Sequence, residues 1–187
     1  MATYYLDIET TGLDPKINKI ITIQYQEVDR YTGKAKGELI ILKEWESSEK
    51  EIIEKFIADT KILENYAFSF VALGFNLTFE HNFLKERSKI NNLKELDILN
   101  CPFIDLRAIT ILMNDGQFKG SSLDAMTGKK NNGSRIPEYY KAKNYVAIID
   151  YIKDETIEFL RFNAWLYKNM PKLHADFVYE LFNGEED

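Results

Sequence analysis

The sequence predicts an α/β fold built on a five-stranded mixed sheet with helices on its faces. Three stretches rich in strand formers come first and are joined by short turns, as in an antiparallel meander. Apolar runs then alternate with helical patterns, as in the parallel half of an α/β sheet. With 187 residues, 45% of them hydrophobic, the chain can bury one sizeable core, so we expect a single domain over residues 1–187.

The predicted meander comprises residues 3–9, 19–28 and 38–43, and its turns contain Gly12 and Gly33. A capping box at Ser48 and Glu51 begins a helix predicted over residues 48–63. The parallel half then comprises a buried strand over 67–74, a helix over 79–90, a strand over 102–106 and a helix over 109–113. Residues 129–137 lack periodicity and are predicted as a loop. Two helices, 145–168 and 172–182, are expected on either side of Pro171.

Two acids lie at the end of the first predicted strand. Side chains alternate along an extended strand, so Asp7 and Glu9 leave the sheet on one face while Leu6 and Ile8 leave on the other. The apolar neighbours indicate an interior strand, where a charged side chain is costly without a compensating partner. Two carboxylates on one sheet face therefore predict half of a divalent-metal site.

Composition limits the classes of function. Lys and Arg number 24 against 30 Asp and Glu, and the net charge of −6 argues against a protein that coats duplex nucleic acid by bulk electrostatics. Basic residues nevertheless cluster in one segment that includes Lys129, Lys130 and Arg135. A single cysteine, Cys101, and the lack of a leader or membrane-length apolar run predict a soluble cytoplasmic protein without disulfides or a membrane partner.

The run from Asp7 to Leu13, Asp-Ile-Glu-Thr-Thr-Gly-Leu, resembles in full the first motif of the DEDD superfamily of 3′-5′ exonucleases. That RNase H-like group includes the proofreading domains of DNA polymerases and several ribonucleases. The resemblance implies an RNase H-like fold, which agrees with the predicted order of strands and helices. It also implies two further acids later in the chain.

The second family motif places an asparagine four residues before an acid, with an aromatic residue just ahead of that acid. Asn76, Phe79 and Glu80 fit this frame, with glutamate where the family has aspartate. The additional methylene moves the carboxylate by about one bond, which matters for an ion with strict coordination geometry.

The last motif can be aligned in three ways: Tyr151 with Glu155, Asp154 without a correctly spaced tyrosine, or Tyr145 with Asp150. Helix phase favours the first, which is closest to the tyrosine-containing subgroup. Glu155 lies about 60° and Tyr151 about 100° from the centre of the apolar stripe on the predicted helix, whereas Asp150 and Asp154 lie about 160° away. Glu155 is therefore expected to face the sheet.

The resemblance implies a two-metal 3′-5′ exonuclease acting on the 3′ end of single-stranded DNA or RNA. Two Mg²⁺ or Mn²⁺ ions would be held by Asp7, Glu9, Glu80 and Glu155, with Tyr151 orienting the attacking water. The expected substrate contacts are Thr10, Thr11, Gly12, Leu13, Asn76 and Phe79. A polymerase or another nucleic-acid-processing protein is a possible partner, and the sugar and the oligomeric state stay open.

A second hypothesis is a catalytically weakened domain that keeps the fold as a nucleic-acid or protein binding module. The glutamates at both later motifs support it.

Overall fold

The computed structural model describes residues 2–64, 70–128 and 133–183. These residues form one five-stranded sheet in the order β3-β2-β1-β4-β5. Its strands are β1 (Ala2–Thr10), β2 (Ile20–Val28), β3 (Ile40–Lys43), β4 (Phe70–Gly74) and β5 (Phe103–Asp105). The pairs β1–β2 and β2–β3 are antiparallel, whereas β1–β4 and β4–β5 are parallel. The predicted mixed sheet of a meander plus parallel strands is confirmed.

The described helices are α1 (Glu49–Thr60), α2 (Thr78–Ile90), α3 (Leu106–Met113), α4 (Leu123–Thr127), α5 (Ile136–Lys141) and α6 (Tyr145–Asn183). The predicted capping box begins α1: Ser48 Oγ accepts the Glu51 N–H at 3.2 Å and donates to the Glu51 carboxylate at 2.9 Å. Lys61 takes a left-handed conformation, with φ of 55°, and ends the helix before the predicted residue 63.

The sheet buries both faces, in agreement with β4 being buried along its whole length. Leu6 and Ile8 of β1 pack with α1 and α2 on one face. On the other face Tyr5 packs with α3, α4 and the middle of α6, and Ile21 packs with α5 and the first turns of α6. Asp7 and Glu9 share the strand parity of Tyr5, so they leave β1 toward α6.

Two predictions of local structure were wrong. Residues 133–137 are not loop, because Arg135 ends a 3-10 turn and Pro137 occupies the first turn of α5, where its fixed φ favours a helix. Pro171 does not divide the last helix, since α6 runs continuously through it. A proline in a helix removes one backbone hydrogen bond, and its neighbours here keep helical geometry. Residues 67–69 of the predicted fourth strand, and Lys129 and Lys130, lie outside the described residues.

Within the described ranges, no helix combines the length and apolarity that crossing a bilayer would need.

Asp105 fixes the junction between β4 and α2. Its Oδ1 accepts the N–H of Asn76 at 2.8 Å and that of Arg107 at 2.9 Å, and its Oδ2 accepts the N–H of Leu77 at 2.9 Å. One carboxylate therefore serves donors at the start of α2 and at the start of α3. Asn76 itself takes a left-handed φ of 65°, which asparagine tolerates better than most residues. This sharp turn directs α2 back across the end of β1.

We expect Asp105→Ala to lower the free energy of unfolding by about 2–3 kcal/mol, because three backbone N–H groups lose a charged acceptor. Asp105→Asn should lie between this variant and the wild type, since an amide oxygen in the Oδ1 position still accepts from Asn76 and Arg107. Urea unfolding measures both, with exposed Asp154→Ala as the control that should stay near the wild type. Equal stabilities for all four proteins would contradict the role of Asp105 at this junction.

Candidate active site

The candidate site is centred on a buried pair of acids from distant parts of the chain. Asp7 is half-buried near the end of β1, and Glu80 in the first turn of α2 is only 4% exposed. The two carboxyl groups are hydrogen bonded to each other. Pairing between β1 and β4 ends at Tyr5 and Leu73, and α2 begins just past that point, so its first turn comes beside Asp7.

Burial, followed by the charge of Asp7, raises the pKa of Glu80 well above its usual range. Burial also raises the pKa of Asp7, although a hydrogen bond from Gln24 opposes that increase. Both shifts favour a proton shared between the two carboxyl groups, with Glu80 as the donor and Asp7 as the acceptor. Oε2 of Glu80 is buried and has no hydrogen-bond partner among the described residues.

Three of the predicted acids surround the Tyr5 phenol, which is itself buried. Burial raises the Tyr5 pKa most, and Asp7, Glu155 and Glu9 raise it further in that order. Tyr5 donates weakly to Asp7 at 3.4 Å and its ring packs on Phe159 of α6, with centroids 4.7 Å apart. Glu9 and Glu155 therefore lie close enough to act on the same group as Asp7.

Helix α6 presents Tyr151 and Glu155 toward the sheet. Both are half-buried and hydrogen bonded to each other, whereas Asp150 and Asp154 are exposed. Burial raises the pKa of Tyr151 far above its usual value, and the charges of Glu155 and Glu9 raise it further. Gly133 lies against this tyrosine, because a Cβ at that position would be 2.7 Å from the Tyr151 hydroxyl. The phenol is therefore protonated and held between α6 and the turn before α5.

The loop between β1 and β2 contains the predicted substrate contacts Thr10 to Leu13. Thr10 is buried and donates to the Gly12 carbonyl at 2.6 Å, and Thr11 exchanges hydrogen bonds with Lys19. Leu13 is 85% exposed. Gly12 has no room for a side chain, since a Cβ would be 2.7 Å from Asn18. The loop is thus internally bonded, and it exposes two large apolar side chains, Leu13 and Ile17.

A groove of about 280 Å³ lies between this loop and α2. Its apolar surface comes from Leu13, Phe79 and Phe83, and the two phenyl rings contact each other with centroids 4.9 Å apart. The remaining lining is mostly charged: Lys16, Lys85, Glu86 and Lys89, with Pro15 and Asn82 between them. Leu13 and Phe79 thus share one groove, whereas the exposed Asn76 belongs to the junction with Asp105.

Sequence reasoning missed Gln24, which organises the Asp7 carboxylate. Gln24 faces Asp7 across the β1–β2 pair and donates to it through Nε2 at 2.8 Å. The Thr22 hydroxyl donates to Oε1 of Gln24 at 2.9 Å and fixes which way the amide points. Thr22 and Gln24 are fully buried. Two polar residues that alternate within an otherwise apolar strand were the sequence feature that could have identified Gln24. Tyr5 was missed although it shares the parity of Asp7.

The carboxylate oxygens of this site fit a divalent cation. Within residues 2–64, 70–128 and 133–183, however, there is no preassembled metal-binding group of three or more histidine, cysteine, aspartate or glutamate side chains. Asp7 and Glu80 are hard oxygen donors in a buried place where only a shared proton offsets their charge. The Glu80 Oε2 atom, which has no hydrogen-bond partner among residues 2–64, 70–128 and 133–183, is a further available ligand atom. A cation at this pair would replace the proton.

Comparisons with known proteins bear on the family and the fold of this chain. A family model described as RNase H superfamily matches residues 4–167. An uncharacterized protein of Methanocaldococcus jannaschii is 31% identical over 162 residues, covering 75% of this chain and 77% of that protein.

Among solved structures, E. coli exonuclease I in its zinc-bound complex with single-stranded DNA is similar, with a TM-score of 0.58 and 12% identity over 95% of this chain and 42% of that chain. The same enzyme with a dT13 oligonucleotide gives a TM-score of 0.53 and 13% identity over 96% of this chain and 44% of that chain. At such identities the likeness shows the fold alone. The chain spans less than half the length of these exonuclease chains.

We expect Glu80→Gln to stabilise the metal-free protein at neutral and higher pH. A carboxyl group whose pKa is raised on folding binds more protons in the folded state, so stability falls as pH rises above the ordinary value of 4.5. Glutamine removes that loss and can still donate to Asp7. Urea unfolding with a chelator at pH 5 and pH 8 should show a gain of about 1–2 kcal/mol that appears only at pH 8.

Asp154→Asn is the matched control for this experiment, because Asp154 is exposed and should change neither value. A Glu80→Gln protein with the wild-type pH dependence would mean that Glu80 is ionised in the folded state.

Proposed function

The chain belongs to the RNase H superfamily, and from this premise we propose that it is a metal-dependent exonuclease that hydrolyses phosphodiester bonds at the 3′ end of single-stranded DNA or RNA. The observation that carries the proposal is the pairing of Asp7 on the central strand with the buried Glu80 of α2. A structural role does not require two acids to face each other there, since the pair destabilises the metal-free site. Glu9 and Glu155 lie around the same centre.

Two Mg²⁺ or Mn²⁺ ions, when bound, would lower the pKa of an attacking water and stabilise the charge that develops on the phosphoryl group. Asp7, Glu9, Glu80 and Glu155 are the residues that would hold them. Gln24 holds the Asp7 carboxylate in one orientation, which keeps a ligand in place before metal arrives.

Tyr151 is suited to orient the attacking water and not to deprotonate it. Burial and the charges of Glu155 and Glu9 raise its pKa, so the phenol stays protonated across the physiological range. Its bond with Glu155 and the close contact with Gly133 restrict where the hydroxyl points. With its proton engaged by Glu155, the phenol oxygen can accept a hydrogen bond from a water and so align it without exchanging a proton with it.

The groove between Leu13 and Phe79 supports a site for the terminal nucleotide. Its apolar walls can take a base without regard to its identity, as stacking sites for single strands do. Lys16 in its lining can attract a phosphate locally, which a net charge of −6 does not preclude. Solved complexes of E. coli exonuclease I contain single-stranded oligonucleotides, and the shared fold makes that substrate class the first to test.

Asp7→Asn should reduce nuclease activity by at least about 100-fold, because an amide keeps the shape but gives up the charge that would hold a cation. The assay is release of nucleotides from a 3′-labelled single strand, with DNA and RNA each tested with Mg²⁺ and Mn²⁺. Asp154→Asn is the control and should retain full activity. Calorimetry should show weaker Mn²⁺ binding by Asp7→Asn, and undiminished activity in that variant would place the metal site elsewhere.

The two glutamates predict a preference between ions. A longer side chain loses more rotamer freedom on binding and holds its carboxylate less rigidly, so Mn²⁺ should support activity better than Mg²⁺, whose geometric demands are strict. Glu80→Asp and Glu155→Asp, assayed with each ion, test this directly. A higher Mg²⁺-dependent rate in either variant would show that glutamate weakens an ordinary exonuclease.

A lower rate in both variants would show a site built around glutamate. Inactivity of every version with both ions, together with binding of single strands, would favour the binding-module hypothesis.

A further inference from the structure

A buried ion pair, formed by residues other than the candidate metal ligands, holds the loop between β1 and β2 against α2. Glu49 lies in the first turn of α1 and Arg87 in the last turn of α2, and their side chains are only 9% and 12% exposed. The pair is bidentate: Arg87 Nε donates to Glu49 Oε1 at 2.8 Å and Arg87 Nη2 donates to Oε2 at 2.7 Å.

The same two side chains reach the loop at two points. Glu49 Oε1 also accepts the N–H of Ile20, the residue at which the loop enters β2, at 2.7 Å. Arg87 donates through Nη1 to the carbonyl of Pro15 in the middle of the loop, at 3.3 Å. Asn91 donates to Glu49 Oε2 at 3.0 Å. The loop is therefore fastened at its end to α1 and at its middle to α2, the helix that forms the other wall of the groove.

The contribution of this ion pair to the free energy of unfolding does not by itself explain why the pair is present. Removing two charges from water costs several kcal/mol each, and apolar residues of similar size often stabilise a core as well or better. Two apolar side chains could not accept a hydrogen bond from the Ile20 N–H or donate one to the Pro15 carbonyl. The side-chain bonds of the pair are thus directed at the loop as well as at each other.

We propose that Glu49 and Arg87 are positioning residues that set the separation between Leu13 and Phe79 and so fit the groove to the terminal nucleotide of a single strand. The inference rests on the proposed function for the identity of the ligand. The structural part of the inference, that Arg87 immobilises the loop, is independent of the proposed function. The planar guanidinium is essential, because it makes three directed bonds at once and the single ammonium of lysine cannot reproduce them.

The first arm of the test is amide hydrogen exchange of Arg87→Lys, which keeps the charge and loses the geometry. Exchange in loop residues 13–20 should accelerate by about tenfold or more, while β4 exchanges as in the wild type. Glu49→Gln should act in the same direction but less, since its amide oxygen still accepts from Ile20. Unchanged loop exchange in both variants would overturn the inference, whatever the activity.

The second arm is binding of a labelled single-stranded oligonucleotide without divalent ions, which does not depend on turnover. The Kd of Arg87→Lys should rise about tenfold, and in the active enzyme KM should rise while kcat stays within about threefold. Arg161→Lys is the matched control, since Arg161 pairs with Glu158 at 2.6 Å on the surface. Ile53→Val, a buried cavity variant in α1, controls for a general loss of stability.

The outcomes separate the two proposals. If the wild type binds the strand and Arg87→Lys binds it equally well, the inference is wrong and the proposed function stands. If the wild type neither binds nor cleaves any strand, the proposed function fails and the assigned ligand with it, whereas loop exchange still decides whether Arg87 holds the loop. An effect as large in Ile53→Val as in Arg87→Lys would also overturn the inference.

Discussion

The placement of β1 at the centre of the sheet constrains everything else in the molecule. This strand has an antiparallel neighbour on one side and a parallel neighbour on the other, so its side chains point only into the two packed faces. Asp7 must then be accommodated within a protein interior. Gln24 from β2, Tyr5 from the same strand and Glu80 from α2 each supply part of that accommodation. The sheet thus places a charged side chain where burial is costly, and the neighbouring residues of the site offset part of that cost.

Gln24 and Tyr5 give Asp7 neutral hydrogen-bond donors and no positive charge. The Asp7–Glu80 pair relies on a shared proton, and one oxygen of Glu80 lacks a partner among the described residues. Metal-free protein and metal-bound protein would therefore differ in the proton content of the site, and each cation bound would release protons. Protons and divalent ions would therefore bind to the same two carboxyl groups, those of Asp7 and Glu80.

Features set by local periodicity were predictable from the sequence, and those set by distant contacts were not. The parity of Asp7 and Glu9, the capping box at Ser48 and the succession of strands and helices along the chain follow from patterns within a few residues. Helix phase likewise placed Glu155 inward and Asp154 outward, as the structure has them. Asp105 reaches donors 28 and 29 residues earlier in the chain, and Arg87 reaches a carbonyl 72 residues earlier. No local pattern indicates either contact. The continuity of α6 through Pro171 likewise departs from the rule that proline interrupts a helix.

The unbroken course of α6 has a consequence for how this chain can tolerate insertions and deletions. Tyr151 and Glu155 are held in phase with Phe159, Phe162 and Leu166 by one rigid helix that spans the sheet face. Adding or removing one residue before Tyr151 would rotate everything after it by about 100° relative to the first turns, and either the site or the core would lose its register. Length variation among homologous sequences should therefore be confined to the exposed end of this helix, away from its first half.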